Sequence, residues 1–185
     1  MSILSKLKRR FKETPSQATM RYCYENGFTS GKNFQSYSEY PIDTNWPWLI
    51  SVGDNVTFSI NVKILAHDAS TSMTSKKQTK VGIVRIGNNV FIGANSTVLC
   101  NIRIGDNVII GAGSVVTKDI PSNQVWGGAP AKYICSFDEF EKKHVNNQSI
   151  HPICNEYKWN QWKNASLEEK KKMAKKLEKT YGYVG

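Results

Sequence analysis

Aliphatic residues recur at every sixth position through the middle of the chain. Ile86, Ile92, Val98, Ile104, Ile110 and Val116 form an unbroken series, and Val52, Phe58 and Ile64 form a shorter one upstream. The position after the aliphatic one is often glycine, as at Gly53, Gly87, Gly93, Gly105 and Gly111. Four positions after it stands a second small or aliphatic residue: Val90, Ser96, Ile102, Val108, Ser114 and Ile120. A period of six fits neither a helix at 3.6 nor a plain strand at 2. It fits a short strand followed by a corner, repeated. Three such units make a triangular coil of eighteen residues, and that register is visible. Ile86-Gly87-Asn88-Asn89-Val90 matches Ile104-Gly105-Asp106-Asn107-Val108, Ile92-Gly93-Ala94 matches Ile110-Gly111-Ala112, and Ser96 matches Ser114. Like residues then stack at the spacing of neighbouring strands, about 4.8 Å. The aliphatic side chains fill the interior, and Gly, Asn and Asp supply corners that tolerate positive φ.

The period breaks once, in the polar stretch Ser70–Val84. An insertion between coils costs little closure entropy, and loops projecting from a rigid scaffold often carry function. At the start of the sequence, Ile3, Leu4, Leu7 and Phe11 follow helical spacing among basic residues. Two readings stand: an amphipathic helix on an anionic membrane, or a helix packed on a neighbouring subunit. Towards the other end, residues 166–179 read as a helix. Ser166 caps it with Glu169 three residues on, and Leu167, Ala174, Leu177 and Tyr181 share one face. The aromatic stretch from Tyr157 to Trp162 suits packing of that helix onto a coil, or stacking on a sugar. The expected organisation is an N-terminal appendage over 1–49, the repeat domain over 50–134 with its loop at 70–84, and a helical appendage over 135–185.

Composition narrows the class. The 185 residues suit one domain with appendages. No run of 18 apolar residues occurs, and the first residues lack the apolar stretch of a signal peptide. Cys23, Cys100, Cys135 and Cys154 are widely spaced with no C-x-x-C pair, which reads as free thiols in a reducing cytosol and offers no zinc spacing. The formal charge of +10 is concentrated at the ends: five positive charges lie within the first twelve residues and six between Lys170 and Lys179. That excess argues for anionic partners such as phosphates or lipid surfaces. No nucleic-acid motif accompanies it.

The segment IGNNVFIGANSTVLCNIRIGDNVIIGAGSVVTKDIPSNQVWGGAPAKYI resembles the hexapeptide-repeat acyltransferases. It is most similar to their maltose, galactoside and capsular-polysaccharide O-acetyltransferase branch, with serine acetyltransferases as more distant relatives. The likeness covers about Ile50 to Ile134, and the V-V-T-K-D-I-P run and the later P-A-K are specific to that branch. The resemblance implies an all-β core folded as a left-handed parallel β-helix. It also implies a homotrimer with active sites between subunits, acetyl-CoA as co-substrate, no metal, and a sugar hydroxyl as acceptor.

Acyl transfer from a thioester to an alcohol needs a base for the hydroxyl proton, and histidine suits this near neutral pH. Of His67, His144 and His151, only His67 lies among the repeats, directly before the insertion. The resemblance places the catalytic histidine in this coil, after a run that here reads Gly53-Asp54-Asn55-Val56-Thr57-Phe58-Ser59-Ile60-Asn61-Val62. His67 is therefore the expected general base. Asp68 is a tempting partner, but successive side chains of an extended segment point to opposite faces. Asp68, Ser70, Lys76 and Lys77 open and line the insertion, which gives them an acceptor-binding role: serines can bond sugar hydroxyls and lysines suit an anionic or polyhydroxylated acceptor.

For the coenzyme, the resemblance puts Ala94 and Ala112 on the pantetheine arm and Thr117, Lys118 and Lys132 near the cofactor, Lys132 at a phosphate. The sequence departs from the family at Cys100-Asn101, commonly Pro-Gly, and at Gly128-Ala129-Pro130-Ala131-Lys132, commonly Gly-Asn-Pro-Ala-Lys. Three alternatives share the fold: N-acylation of a nucleotide-linked amino sugar, a non-catalytic scaffold, and a metal-dependent γ-type carbonic anhydrase. The last needs three converging histidines, and the repeats hold one.

Overall fold

The computed structural model describes residues 13–185, so the basic amphipathic segment over residues 1–12 lies outside the described residues. The chain divides into a unit ending at Phe137 and a unit from Asp138 to Gly185.

In the first unit the six-residue period becomes three parallel sheets that the chain visits in turn. One sheet joins Thr29–Ser30, Ile50–Val52, Val84–Ile86 and Ile102–Ile104. A second joins Gln35–Ser36, Thr57–Phe58, Val90–Ile92, Val108–Ile110 and Gln124–Gly127. The third joins Lys63–Ile64, Thr97–Val98 and Val115–Val116. Partners sit eighteen residues apart in the regular coils, as in Ile86↔Ile104, Ile92↔Ile110 and Val98↔Val116. Every member of the six-residue aliphatic series is buried, and so is its companion series from Val90 to Ile120, including Ser96 and Ser114. Those two hydroxyls are bonded: Ser96 Oγ donates to Gly111 O at 3.0 Å, and Ser114 Oγ accepts the Gly128 N–H at 3.2 Å. A fully buried aliphatic side chain contributes about 1.5–3 kcal/mol, so stacked columns such as Val52, Ile86 and Ile104 supply the main attraction between coils.

The corners are specified by asparagine. Asn33, Asn55, Asn89, Asn107 and Asn123 all adopt positive φ, from 54° to 62°. Their side-chain amides run as a ladder through successive coils: Asn33 Nδ2 donates to Asn55 Oδ1 at 2.9 Å, Asn55 to Asn89 at 3.0 Å, Asn89 to Asn107 at 3.0 Å, and Asn107 to Asn123 at 2.8 Å. The glycines of the repeat have another role. Gly87 lies outside the left-handed region, and a Cβ there would meet Asp106 Oδ1 at 2.4 Å and the Gly105 backbone at 2.8 Å. Close approach between coils excludes a side chain, whereas the left-handed conformation falls to asparagine.

The coils begin earlier than the sequence period suggests. Thr29↔Ser51, Gln35↔Thr57 and Ile42↔Ile64 pair in parallel at an offset of 22 residues. This first coil carries no six-residue aliphatic period because its interior is built differently. Phe28 packs edge-on to Phe34 and Phe34 edge-on to Phe58, and buried Ser38 donates to Ser59 O at 2.7 Å while accepting the Val62 N–H at 2.8 Å. The helix α1 (Pro15–Glu25) precedes it, capped by Thr14 and Gln17. At the other end, Lys132–Ser136 turns back antiparallel onto Gln124–Gly127 and closes the sheet edge, with a register shift at Val125/Trp126.

The second unit holds most of α2 (Phe137–Ile150), and then α3 (Leu167–Lys176). Ser166 caps α3 in a reciprocal box with Glu169, as its sequence implies. Within this unit Tyr157 packs against Trp162 at 5.2 Å and donates to Glu169 Oε1 at 2.9 Å. Among the described residues no helix is long and apolar enough to cross a membrane.

The asparagine ladder generates a stability test. Asn107→Ala loses two ladder bonds and forces alanine into the left-handed region, a strain of about 1–3 kcal/mol. Asn107→Gly keeps the conformation and loses only the amides. Urea unfolding is expected to rank wild type above Asn107→Gly above Asn107→Ala; equal loss in both variants would show that backbone strain is not what the asparagine relieves.

Candidate active site

His67 stands where the chain leaves the regular coil. The corner after Lys63–Ile64 opens at Ala66, and His67–Asp68 pairs antiparallel with Lys80–Val81, with His67 opposite Val81. Gly82 N–H then donates to Ala66 O at 2.9 Å, so the excursion departs and returns side by side. Pairing across it links residues 34 apart, such as Val52↔Ile86, against eighteen in the regular coils. The inserted segment is itself ordered. A 3-10 turn spans Ala69–Met73, and Thr71 Oγ1 lies within hydrogen-bonding reach of Asp68 O, of Gln78 O and of the Lys80 N–H, all at 2.8 to 2.9 Å.

The partner of His67 is Asp43. Asp43 Oδ2 pairs with His67 Nδ1 in a short contact. The carboxylate is buried and positioned by backbone: Oδ2 also accepts the Ala66 N–H at 3.0 Å, Oδ1 accepts the Asn45 N–H at 3.1 Å, and the Asp43 N–H donates to Ile64 O at 3.0 Å. Asp43 occupies the same corner as His67, one coil earlier, directly after Ile42↔Ile64. A neutral ring facing this carboxylate acceptor carries its proton on Nδ1 and leaves the lone pair to Nε2. Nε2 has no hydrogen-bond partner among the described residues, and the His67 side chain is 27% exposed against 3% for Asp43. The pair is thus an imidazole with a buried carboxylate support and an accessible Nε2. Behind it, burial pushes the Cys23 thiol pKa up, and the negative charge of Asp43 adds to the shift.

Asp68 turns away from the ring. Its Oδ1 accepts the Ser70 hydroxyl at 2.6 Å and the Ser70 N–H at 3.0 Å, and the Ser70 bonds hold its carboxyl below the usual range. Asp68 and Ser70 therefore lie beside His67, engaged with each other. Lys76 and Lys77 are exposed further along the same loop.

The remaining candidates lie elsewhere. Ala94 and Ala112 occupy the corner between the second and third sheets, stacked so that the Gly113 N–H donates to Ala94 O at 2.7 Å. His67 follows the third sheet, so within one chain His67 and this pair of alanines lie at opposite ends of the third-sheet face. Thr117 and Lys118 are exposed after Val115–Val116, with Lys118 Nζ 5.2 Å from the ring centroid of Trp126. Lys132 is exposed at the start of the closing strand, paired with Gly127. His144 and His151 belong to the second unit, where they bond Tyr183 Oη at 3.3 Å and Thr180 Oγ1 at 2.8 Å.

Residues 83–118 match the family described as Bacterial transferase hexapeptide (six repeats). Protein CapG of Staphylococcus aureus is 49% identical over 104 residues, 55% of this chain and 60% of its own. The galactoside O-acetyltransferase of Escherichia coli K12 is 31% identical over 139 residues, 74% of this chain and 64% of its own. Among solved structures, a maltose O-acetyltransferase from Clostridium difficile 630 is 34% identical with a TM-score of 0.50, covering 61% of this chain and 60% of that one. The chain thus spans less than two thirds of the length of each of these relatives.

The two acids are distinguished by their bonds. Asp43→Ala orphans the buried Ala66 N–H, at a cost of about 1–3 kcal/mol, whereas Asp68→Ala frees only an exposed turn. Denaturant titration is expected to show the larger loss for Asp43→Ala. The reverse order would mean that Asp43 is not the structural support of this corner.

Proposed function

We propose that this chain, a hexapeptide-repeat protein, is an O-acetyltransferase that moves an acetyl group from acetyl-CoA to a hydroxyl of a saccharide acceptor. The observation that carries the reading is the buried Asp43 behind a partly exposed His67, at the corner from which the insertion springs. It stands in a chain similar over its repeats to enzymes named as sugar acetyltransferases. In this reading the parallel stack is a left-handed β-helix and the working form is a homotrimer.

His67 Nε2 takes the proton of the acceptor hydroxyl as its oxygen attacks the thioester carbonyl. Asp43 holds the ring and offsets the imidazolium charge that forms. His67 then returns the proton to the departing thiolate, so proton and charge balance over the cycle. General-base assistance of this kind contributes about 10²- to 10⁴-fold. Backbone N–H groups are the donors available for the oxyanion. Asp68, Ser70, Lys76 and Lys77 face the acceptor side. The corner of Ala94 and Ala112 suits the pantetheine arm, because these two adjacent coils carry only methyl groups there, beyond the exposed Ile60 of the coil before them. Thr117, Lys118 and Lys132 meet the coenzyme's phosphates. The placement of His67 and the two alanines at different corners supports a site shared between chains, one supplying the base and its neighbour the arm-binding corner.

His67→Ala is expected to lower kcat at least about a hundredfold while CoA binding, measured by equilibrium dialysis, is unchanged. Near-normal turnover would remove His67 from the mechanism. Mixing is the sharper test. His67→Ala and Ala112→Trp are each expected to be inactive alone. Refolded together, they are expected to regain roughly a quarter of wild-type sites by random assortment in a cyclic oligomer. No recovery would show that each site is built within one chain.

A further inference from the structure

Two arginines rise from the first sheet without partners among the described residues. Arg85 and Arg103 are outward residues between buried pairs, Val84/Ile86 and Ile102/Ile104, and they stand directly opposite each other in the parallel register. Both are exposed, and among the described residues neither guanidinium makes a hydrogen bond or ion pair. Like charges directly opposite in a sheet repel. An anion placed between them turns that repulsion into attraction.

The space for one is present. Gly82, Ile83, Arg85, Asn101, Arg103 and Asp119 line a groove of about 510 Å³. Asp119 is its single acid, and that carboxylate is already engaged through Oδ1 with the Arg103 backbone N–H at 2.8 Å. The groove also adjoins the hairpin that carries His67. Gly82 lies one residue past Val81, which pairs with His67, and its N–H is bonded to Ala66 O. Guanidinium forks bind phosphate oxygens two at a time, which an isolated ammonium cannot do. Two long side chains rooted at neighbouring-strand spacing, about 4.8 Å, can close on one diphosphate.

We propose that Arg85 and Arg103 form a phosphate-binding site beside His67, taking a phosphate or diphosphate group of a substrate molecule. The anion site stands on this geometry alone. Its service to catalysis rests on the acetyl-transfer reading. The phosphate has two possible owners, the coenzyme and a phosphorylated acceptor, and the experiment separates them.

The whole chain, Arg85→Ala/Arg103→Ala and Arg85→Lys/Arg103→Lys are heated with inorganic pyrophosphate, against sodium chloride at matched ionic strength. A ligand that binds only the folded form raises Tm. Wild type is expected to gain several degrees beyond the chloride control, the double alanine variant none, and the lysine variant an intermediate amount. Melting in chloride alone checks that the variants fold. An equal pyrophosphate shift in wild type and in the double alanine variant overturns the site, as does a wild-type shift no larger than that of chloride. With the pyrophosphate effect established, calorimetric titration with CoA assigns the owner. Binding weakened by about tenfold or more in the alanine variant assigns the coenzyme; unchanged CoA binding assigns the acceptor. Acetyl transfer to no saccharide, with the pyrophosphate effect intact, would overturn the functional reading and leave the anion site standing.

Discussion

The fold depends on one backbone conformation, the left-handed corner. A coil of eighteen residues closes only if the chain turns sharply between short strands. An L-residue at positive φ costs energy that asparagine bears better than any residue but glycine. Asparagine adds what glycine cannot, a side-chain amide that bonds the same amide in the next coil. The ladder from Asn33 to Asn123 therefore sets the turn and the pitch together. Once pitch is fixed, every outward position becomes a column. Arg85 above Ser51 and below Arg103, and Ala94 below Ala112, are consequences of that regularity.

The informative places are where the repeat departs from eighteen. The first coil takes 22 residues per turn, and the extra length brings Asp43 beneath the corner that His67 will occupy. The next turn takes 34, and its extra residues form the hairpin that starts at His67. The last takes 16, as in Val108↔Gln124, and ends in the antiparallel strand that closes the sheet. Regular coils form the scaffold, and irregular ones place chemistry on it.

This division explains what the sequence disclosed. The aliphatic series from Ile86 to Val116 is legible because burial demands the same residue type at each stacked position, and one face cannot satisfy that demand by any other pattern. The corner at His67 is legible because it borders the one break in the series. Asp43 is not, because it lies in a coil whose interior is filled by Phe28, Phe34 and the bonded hydroxyl of Ser38 rather than by periodic aliphatics. A carboxylate 24 residues upstream of its histidine leaves no local trace. Glycine is legible as a corner residue but for the wrong reason: at Gly87 it makes room for the neighbouring coil. Asp68, adjacent to His67 in sequence, is turned by strand alternation towards Ser70.

The position of His67 is over-determined, as the base proposed for it would need. One coil below, Asp43 grips the ring while its own oxygens are held by two backbone N–H groups. Beside it, the Lys80–Val81 strand fixes the backbone, and Gly82 ties the returning chain to Ala66. None of these restraints uses the loop tip between Met73 and Lys77. The tip can therefore change in length and sequence without moving Nε2, because the hairpin's base is secured by the stack and by Thr71. A scaffold of this kind separates the geometry at His67 from the surface of the loop, so that one can stay fixed while the other varies.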